Sequence, residues 1–382
     1  MLPLFLFLGG VTLGLIAGLL PGIHPNLIAL LLASTKQELY FIIPLAVVNS
    51  IVDTIPSILF GAPDAGSELS VLPGHRMLMK GLGYNAVRKT VIGSLLSGIF
   101  AIILLPIAFL ISKSYNSMTI IIPILLIIIV VYTIFGDKNS LFAAFCFVFS
   151  GIIGILSFRL NISSNVVLVP ILSGLFGLSR IITSLKTKSI PPQRDEIEFI
   201  SSKTENRSVF VGSLLGMISG FIPGVGSSQA AYIASSLKGD FLTSLGAITT
   251  SNVIFSFLAL YFIGKVRSGV AASISFIEMD TRVAAMIFLL CLMSIPIGSI
   301  LTLLTSKIII RRISNINYRA VNMFVGILII SVVFALSGLL GLLLLFVSTS
   351  LGIMAITKRV KQSNLLGVII IPTLIYFITN FI

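Results

Sequence analysis

Apolar runs of about twenty residues recur along the whole chain, and they restrict its fold more than any other feature. Val91–Ile111 and Met118–Phe135 are two of them, and about 20 apolar residues suffice for a helix to cross a hydrocarbon core. In lipid every backbone N–H and C=O must be paired within the protein, so such runs form helices packed side by side. No stretch remains for a sizeable water-soluble domain. Composition agrees: 57% of residues are hydrophobic and 10% charged, where a soluble domain carries about 25% charge. The expected class is an all-α polytopic protein, multi-pass in the cell membrane.

A net charge of +13 would point to nucleic acid in a soluble chain. Here the basic residues sit in short segments between apolar runs, as cytoplasmic loops do, so no nucleic acid partner is expected. Cys146 and Cys291 lie inside apolar runs and read as small apolar side chains. No metal or other cofactor is expected. Residues 1–20 are apolar, but no positive segment precedes them. They read as mature structure rather than a cleaved signal.

The chain repeats itself. Gly10, Gly14, Gly18, Pro21 and Gly22 are matched by Gly212, Gly216, Gly220, Pro223 and Gly224 at an offset of 202. After one inserted residue, Asn49, Gly61 and Gly66 match Asn252, Gly264 and Gly269 at an offset of 203. Eight positions in register over nearly 60 residues define two halves, 1–185 and 209–382. Between them lies a polar linker, 186–208, containing Pro191-Pro192 and Arg194-Asp195-Glu196.

Each half parses alike. A Gly-rich helix ends at Pro-Gly (Leu4–Leu20, Val209–Ile222), and a short arm follows (Asn26–Ser34, Ser228–Leu237). A full span comes next (Leu39–Phe60, Phe241–Ile263), then a polar loop (Gly61–Lys89, Gly264–Arg282). Four more spans are expected near 90–111, 118–135, 140–157 and 164–184, and near 283–305, 320–336, 339–357 and 364–381.

Positive loops stay cytoplasmic. The clusters are Arg76/Lys80/Arg88/Lys89, the linker, Lys307/Arg311/Arg312/Arg319 and Lys358/Arg359/Lys361. From the linker to the third cluster the number of crossings must be even, and 241–263 with 283–305 already make two. The Pro-Gly element must then leave on the side from which it came. Each half becomes a re-entrant Pro-Gly hairpin plus about five transmembrane helices. Five is odd, so the halves are inverted repeats, with the linker cytoplasmic and both termini outside. Leu4–Leu20 is, by length alone, also able to span fully.

Pro21-Gly22 and Pro223-Gly224 stop helices, and Asn26 and Ser227-Ser228 are N-cap residue types. Two helix N-termini at mid-membrane would offer free N–H donors to an anion. Pro21, Gly22, His24, Asn26, Asn49, Pro223, Gly224, Gly226, Ser227, Ser228, Gln229 and Asn252 are therefore the candidate substrate-binding residues. The competing readings are a surface turn for the breaks, capping or packing for His24 (whose repeat counterpart is Gly226), packing for Gln229, and a helix–helix hydrogen bond for Asn49 and Asn252. Asp53, one turn beyond Asn49, is the acidic residue deep in an apolar span. It and its counterpart Ser256 are candidates for ion coupling, against a salt-bridged structural role for Asp53. Pro63, Asp64, Gly66 and Ser67 form a small polar loop that could gate a pathway. Lys265 and Arg267 hold the corresponding place in the second half, as gate charges or interfacial anchors.

No enzyme motif is present: no HExxH, Walker A, GxSxG or paired Cys. No ATP-binding domain is present either. At Pro21-Gly22-Ile23-His24, Pro223-Gly224-Val225-Gly226 and Leu72-Pro73-Gly74-His75-Arg76-Met77-Leu78-Met79-Lys80-Gly81, the chain resembles the TctA family, the large permease subunit of tripartite tricarboxylate transporters. The order of motifs agrees over residues 10–100 and 209–270. The chain is shorter than a typical member and has His24 where Gly is usual. The resemblance implies uptake of carboxylates driven by a cation gradient. It also implies a small membrane subunit and an extracytoplasmic binding protein as partners. An oligomer is compatible with these spans.

The sequence thus points to a secondary transporter, a permease for a small organic anion coupled to protons or sodium, in contact with membrane lipids. The alternative is a transporter or flippase of a phosphate-bearing lipid carrier, which helix N-termini suit equally well. An intramembrane enzyme ranks below both, because Asp53 alone lies at depth.

Overall fold

The computed structural model describes residues 1–20, 38–60, 71–113, 121–162, 166–184, 190–194, 202–221, 227–236, 239–313 and 318–381. In chain order its helices are α1 (Leu2–Leu19), α2 (Leu39–Val52), α3 (Thr54–Leu59), α4 (Val71–Leu78) and α5 (Gly83–Lys113). Then come α6 (Ile121–Phe135), α7 (Ser140–Ser157), α8 (Leu168–Leu172) and α9 (Ser179–Ser184), the last two joined by a π-helical turn, Ser173–Leu178. The second half has α10 (Ser202–Phe221), α11 (Ser227–Ser236), α12 (Phe241–Ile263), α13 (Gly269–Ala272), α14 (Thr281–Ile313), α15 (Tyr318–Thr357) and α16 (Gly367–Phe381). Among the described residues eight helices are long and apolar enough to cross a membrane, and there is no strand. The protein is an all-α, multi-pass membrane protein.

Several boundaries differ from expectation. The Leu39–Phe60 span divides at Asp53 into α2 and α3, where Pro56 has no N–H for the carbonyl of Val52. The polar loops carry the short helices α4 and α13. The spans expected at 320–336 and 339–357 are present as two helical segments of Tyr318–Thr357 that meet at Gly338, whose φ of 60° and ψ of −153° suit glycine. Residues 190–194 of the linker are docked rather than free in solvent. Gln193 accepts from the Gly83 N–H at 2.9 Å and donates to the Leu78 carbonyl at 3.0 Å, and the Arg194 N–H donates to the Gly81 carbonyl at 2.8 Å.

Two compact units divide the chain differently from the repeat. The first joins residues 1–112 with 189–222 and 226–318, so it holds the opening elements of both halves. Its core is built twice with one register. Glycines 10, 14 and 18 of α1 meet Phe41, Leu45 and Val52 of α2, while glycines 212, 216 and 220 of α10 meet Ser244, Ile248 and Phe255 of α12. Every one of these partners is related by the offset of 203. A methyl group at Gly14 would lie 2.7 Å from the Leu45 carbonyl oxygen, and one at Gly216 2.6 Å from that of Ile248. Backbones come this close only without a side chain, the small-residue packing of helices in lipid.

The halves also exchange contacts. Ser94 of α5 donates to the Gly246 carbonyl of α12 at 3.1 Å, and Gly298 of α14 lies against Val48 and Ile51 of α2. Helix α5 runs alongside α12 in the same direction: Lys89 pairs with Asp240 at their starts, and Phe109 meets Phe262 at their ends. Against α3 it runs oppositely, with Leu59 near Gly83 and Thr90 bonded to Thr54. The span 39–59 is buried throughout. On α5 and α14 the exposed side is apolar, Leu95, Ile99, Ile103 and Ile107 on one and Leu289, Met293, Ile300 and Leu304 on the other. Such stripes are what lipid-facing helices present.

The second unit comprises 113–188, 223–225 and 319–382. In it α7 packs on α16 through Gly151, Gly154 and Gly367. Asp137, between α6 and α7, accepts from the Lys361 N–H at 2.7 Å and from Asn364 Nδ2 at 3.1 Å. Arg180 donates twice to Gln362 Oε1, at 3.1 and 2.9 Å.

Candidate functional site

Helix α1 ends at Leu19, just before Pro21-Gly22, and α10 ends at Phe221, just before Pro223-Gly224. Helix α11 begins at Ser227. The α10–α11 pair returns to its origin: the Asp240 N–H donates to Ser208 Oγ at 2.8 Å. Ala230, Ala231 and Ala234 of α11 pack on Leu245 and Ile248 of α12, with Val211 and Leu215 of α10 closing the cluster. A small, Ala-rich arm lets three helix backbones share that space.

The two asparagines lie level with the two helix ends. Gly18, in the last turn of α1, faces the Asn49 carbonyl, and Gly220, in the last turn of α10, faces the Asn252 carbonyl. Asn252 Nδ2 donates to Ser219 Oγ at 2.8 Å. Asn49 is 3% exposed, and its Nδ2 is enclosed with no hydrogen-bond partner. Asp53 follows one turn later, 7% exposed, its N–H donating to the Asn49 carbonyl. Ser256, its counterpart, is buried and lies 3.4 Å from Ser268 Oγ, which caps α13. So the break level of each half carries an amide, buried at Asn49 and half-buried at Asn252. In the first half a carboxylate follows it, and in the second a hydroxyl.

Of the residues singled out from sequence, Asn49, Asp53, Asn252, Ser256 and Ser227 are placed in the first unit, Ser227 as the opening residue of α11. Ser228 and Gln229 lie in the same helix. Pro21, Gly22, His24, Asn26, Pro63, Asp64, Gly66, Ser67, Pro223, Gly224 and Gly226 lie outside the described residues. Among the described residues no cluster of His, Cys, Asp and Glu could hold a metal ion.

Sequence reading missed Ser219, although the repeat pairs it with Ala17 and so marks it as a polar addition in the second half. It also missed Asp240, whose carboxylate accepts from the Thr243 N–H and hydroxyl at 3.0 and 2.9 Å and from Lys89 at 3.1 Å. The signal was available: Asp three residues before Thr at the head of an apolar run is an N-cap pattern.

The family model of the tripartite tricarboxylate transporter TctA family matches residues 4–367. The uncharacterized protein MJ1079 of Methanocaldococcus jannaschii is 32% identical over 406 aligned residues, covering 99% of this chain and 100% of its own length. No solved structure matches the chain. The match takes in both glycine-lined helices, both asparagine-bearing spans and the second unit as far as the start of α16. This chain belongs to the tripartite tricarboxylate transporter TctA family.

Proposed function

We propose that the chain is the permease of a secondary transporter that moves a small organic anion, a di- or tricarboxylate, with a cation. The observation that carries the proposal is the doubled packing of a glycine-lined helix against an asparagine-bearing span, the last turn of each helix level with its asparagine.

The repeats are inverted in this reading. Support comes from α5, which runs with α12 and against α3, so that equivalent spans of the two halves are opposed. The second Pro-Gly element is a re-entrant hairpin with a cytoplasmic base. The bond between Ser208 and Asp240 supports a common base for its arms. From Ser208 to Phe221 the helix rises about 20 Å, short of the roughly 30 Å of hydrocarbon.

Asp53 supplies the coupling. A substrate carboxylate at Asn49 would lie one turn from it, about 6 Å. Two like charges at that distance repel by about 3 kcal/mol at an effective dielectric of 20. A proton or sodium ion on Asp53 removes the repulsion, so anion and cation bind together. In this reading a small membrane subunit and an extracytoplasmic binding protein assist, which membership of a tripartite transporter family supports, and the chain is a carrier rather than an enzyme. The lipid-carrier alternative gains no support from the family.

Uptake of labelled citrate and succinate into proteoliposomes, with and without the partner subunits, tests the proposal. Accumulation should require a sodium or proton gradient and collapse with the matching ionophore. Asp53→Asn should abolish accumulation but retain exchange of carboxylate across the membrane. Uptake of no carboxylate under any gradient would refute it.

A further inference from the structure

We infer that the two equivalent asparagines have separate tasks: Asn252 clamps the second hairpin, and Asn49 donates to a carboxylate oxygen of the transported solute. The inference rests on the carrier reading above and adds which half holds the anion.

The internal repeat supplies its own control. Around each asparagine the packing is matched position by position, with Gly18 beside Asn49 and Val52 and Gly220 beside Asn252 and Phe255. A hydroxyl bonded to the amide is present in the second half alone. Ser219 accepts from Asn252 Nδ2 at 2.8 Å and passes its own proton to the Gly216 carbonyl at 3.0 Å, so the amide nitrogen of the second half has a partner within the protein. The position equivalent to Ser219 is Ala17, 2% exposed, which has no acceptor to give. Asn49 is enclosed as tightly as a core residue, yet its Nδ2 has no partner. Buried donors are almost always paired, and an unpaired one is costly enough to need a reason. An acceptor that arrives and leaves with the substrate is such a reason.

The chemistry of the donor fits an anion in transit. A neutral amide can hold a carboxylate oxygen and release it again, whereas a buried Lys or Arg would need a permanent counter-charge.

The test uses the full-length purified chain, citrate titration calorimetry and thermal unfolding. Asn49→Ala should weaken citrate binding roughly 10- to 100-fold, the worth of one hydrogen bond to a charged acceptor, without lowering the melting temperature. Ala17→Ser should build the second-half clamp into the first half. It should raise the melting temperature and weaken citrate binding, and the gain should vanish in Ala17→Ser/Asn49→Ala. Ser219→Ala should lower the melting temperature while the folded protein binds citrate as the wild type does. Unchanged citrate affinity in both Asn49→Ala and Ala17→Ser, with wild-type binding measurable, would overturn the inference and leave the carrier reading standing. A wild-type chain that neither binds nor transports any carboxylate would overturn both.

Discussion

Lys89 Nζ lies 3.1 Å from Asp240 Oδ2, joining the second turn of α5 to the N-cap of α12 across 151 residues of sequence. Asp240 also caps α12 through Thr243, and its backbone N–H holds Ser208 at the base of α10. One residue thereby ties the second hairpin, the second-half span and a first-half span together.

Losing the cap and losing the charge should therefore be separable. Asp240→Asn keeps a capping oxygen and removes the ion pair. A partly exposed pair is worth up to about 1 kcal/mol, and Lys89→Met should cost a similar amount. Asp240→Ala removes the cap as well, at about 1 kcal/mol more. Thermal unfolding of the purified chain should rank the variants in that order. Equal melting temperatures for Asp240→Asn and Asp240→Ala would show that the cap contributes nothing.

Glycine-to-alanine changes should sort by the space available. Gly14→Ala and Gly216→Ala press a methyl against backbone oxygens at 2.7 and 2.6 Å, and overpacking of this kind costs about 1–3 kcal/mol. A methyl at Gly326 of α15 would meet nothing closer than 3.5 Å, so Gly326→Ala should be neutral or stabilise by up to about 1 kcal/mol through helix propensity. Urea unfolding of the three variants checks this. Similar midpoints would contradict the backbone contacts.

Gln193 fixes the linker to the turn before α5 with bonds to Gly83, Leu78 and Pro191. Gln193→Ala should cost about 1–3 kcal/mol, because it leaves a helix-end N–H and a carbonyl unpaired. Limited proteolysis should become faster within 186–201 in the variant. An unchanged cleavage rate would mean that the linker is held elsewhere.

Arg359 follows α15 with φ of 58°, and the Val360 N–H reaches back to the Ala355 carbonyl. This is a helix-ending turn in which glycine is the usual residue. Arg359→Gly should stabilise by about 1 kcal/mol, by removing the left-handed strain of a side chain. A lower melting temperature would show that the arginine side chain contributes more than its backbone costs.

Much was legible before the fold was seen. The spans, the repeat and the glycine stripes could be read because they follow local rules: apolar length for a crossing, and a fixed register for a duplicated unit. Asn49, Asn252, Asp53 and Ser256 could be singled out as candidates for the same reason, as polar residues where lipid tolerates few. Helix α3 and the docking of Gln193 were not legible. One depends on where Pro56 interrupts a ladder of backbone bonds, the other on a meeting of residues more than a hundred positions apart.

The sequence by itself determined that this chain lives in a membrane, that it is built twice, and that each copy sets an asparagine in the span that follows its Pro-Gly step. Apolar length and register are properties of the chain alone. Only tertiary structure decided that Lys89 meets Asp240, and that Asn252 is engaged while Asn49 is not. A hydrogen bond or an ion pair exists only when a second helix places its partner within about 3 Å.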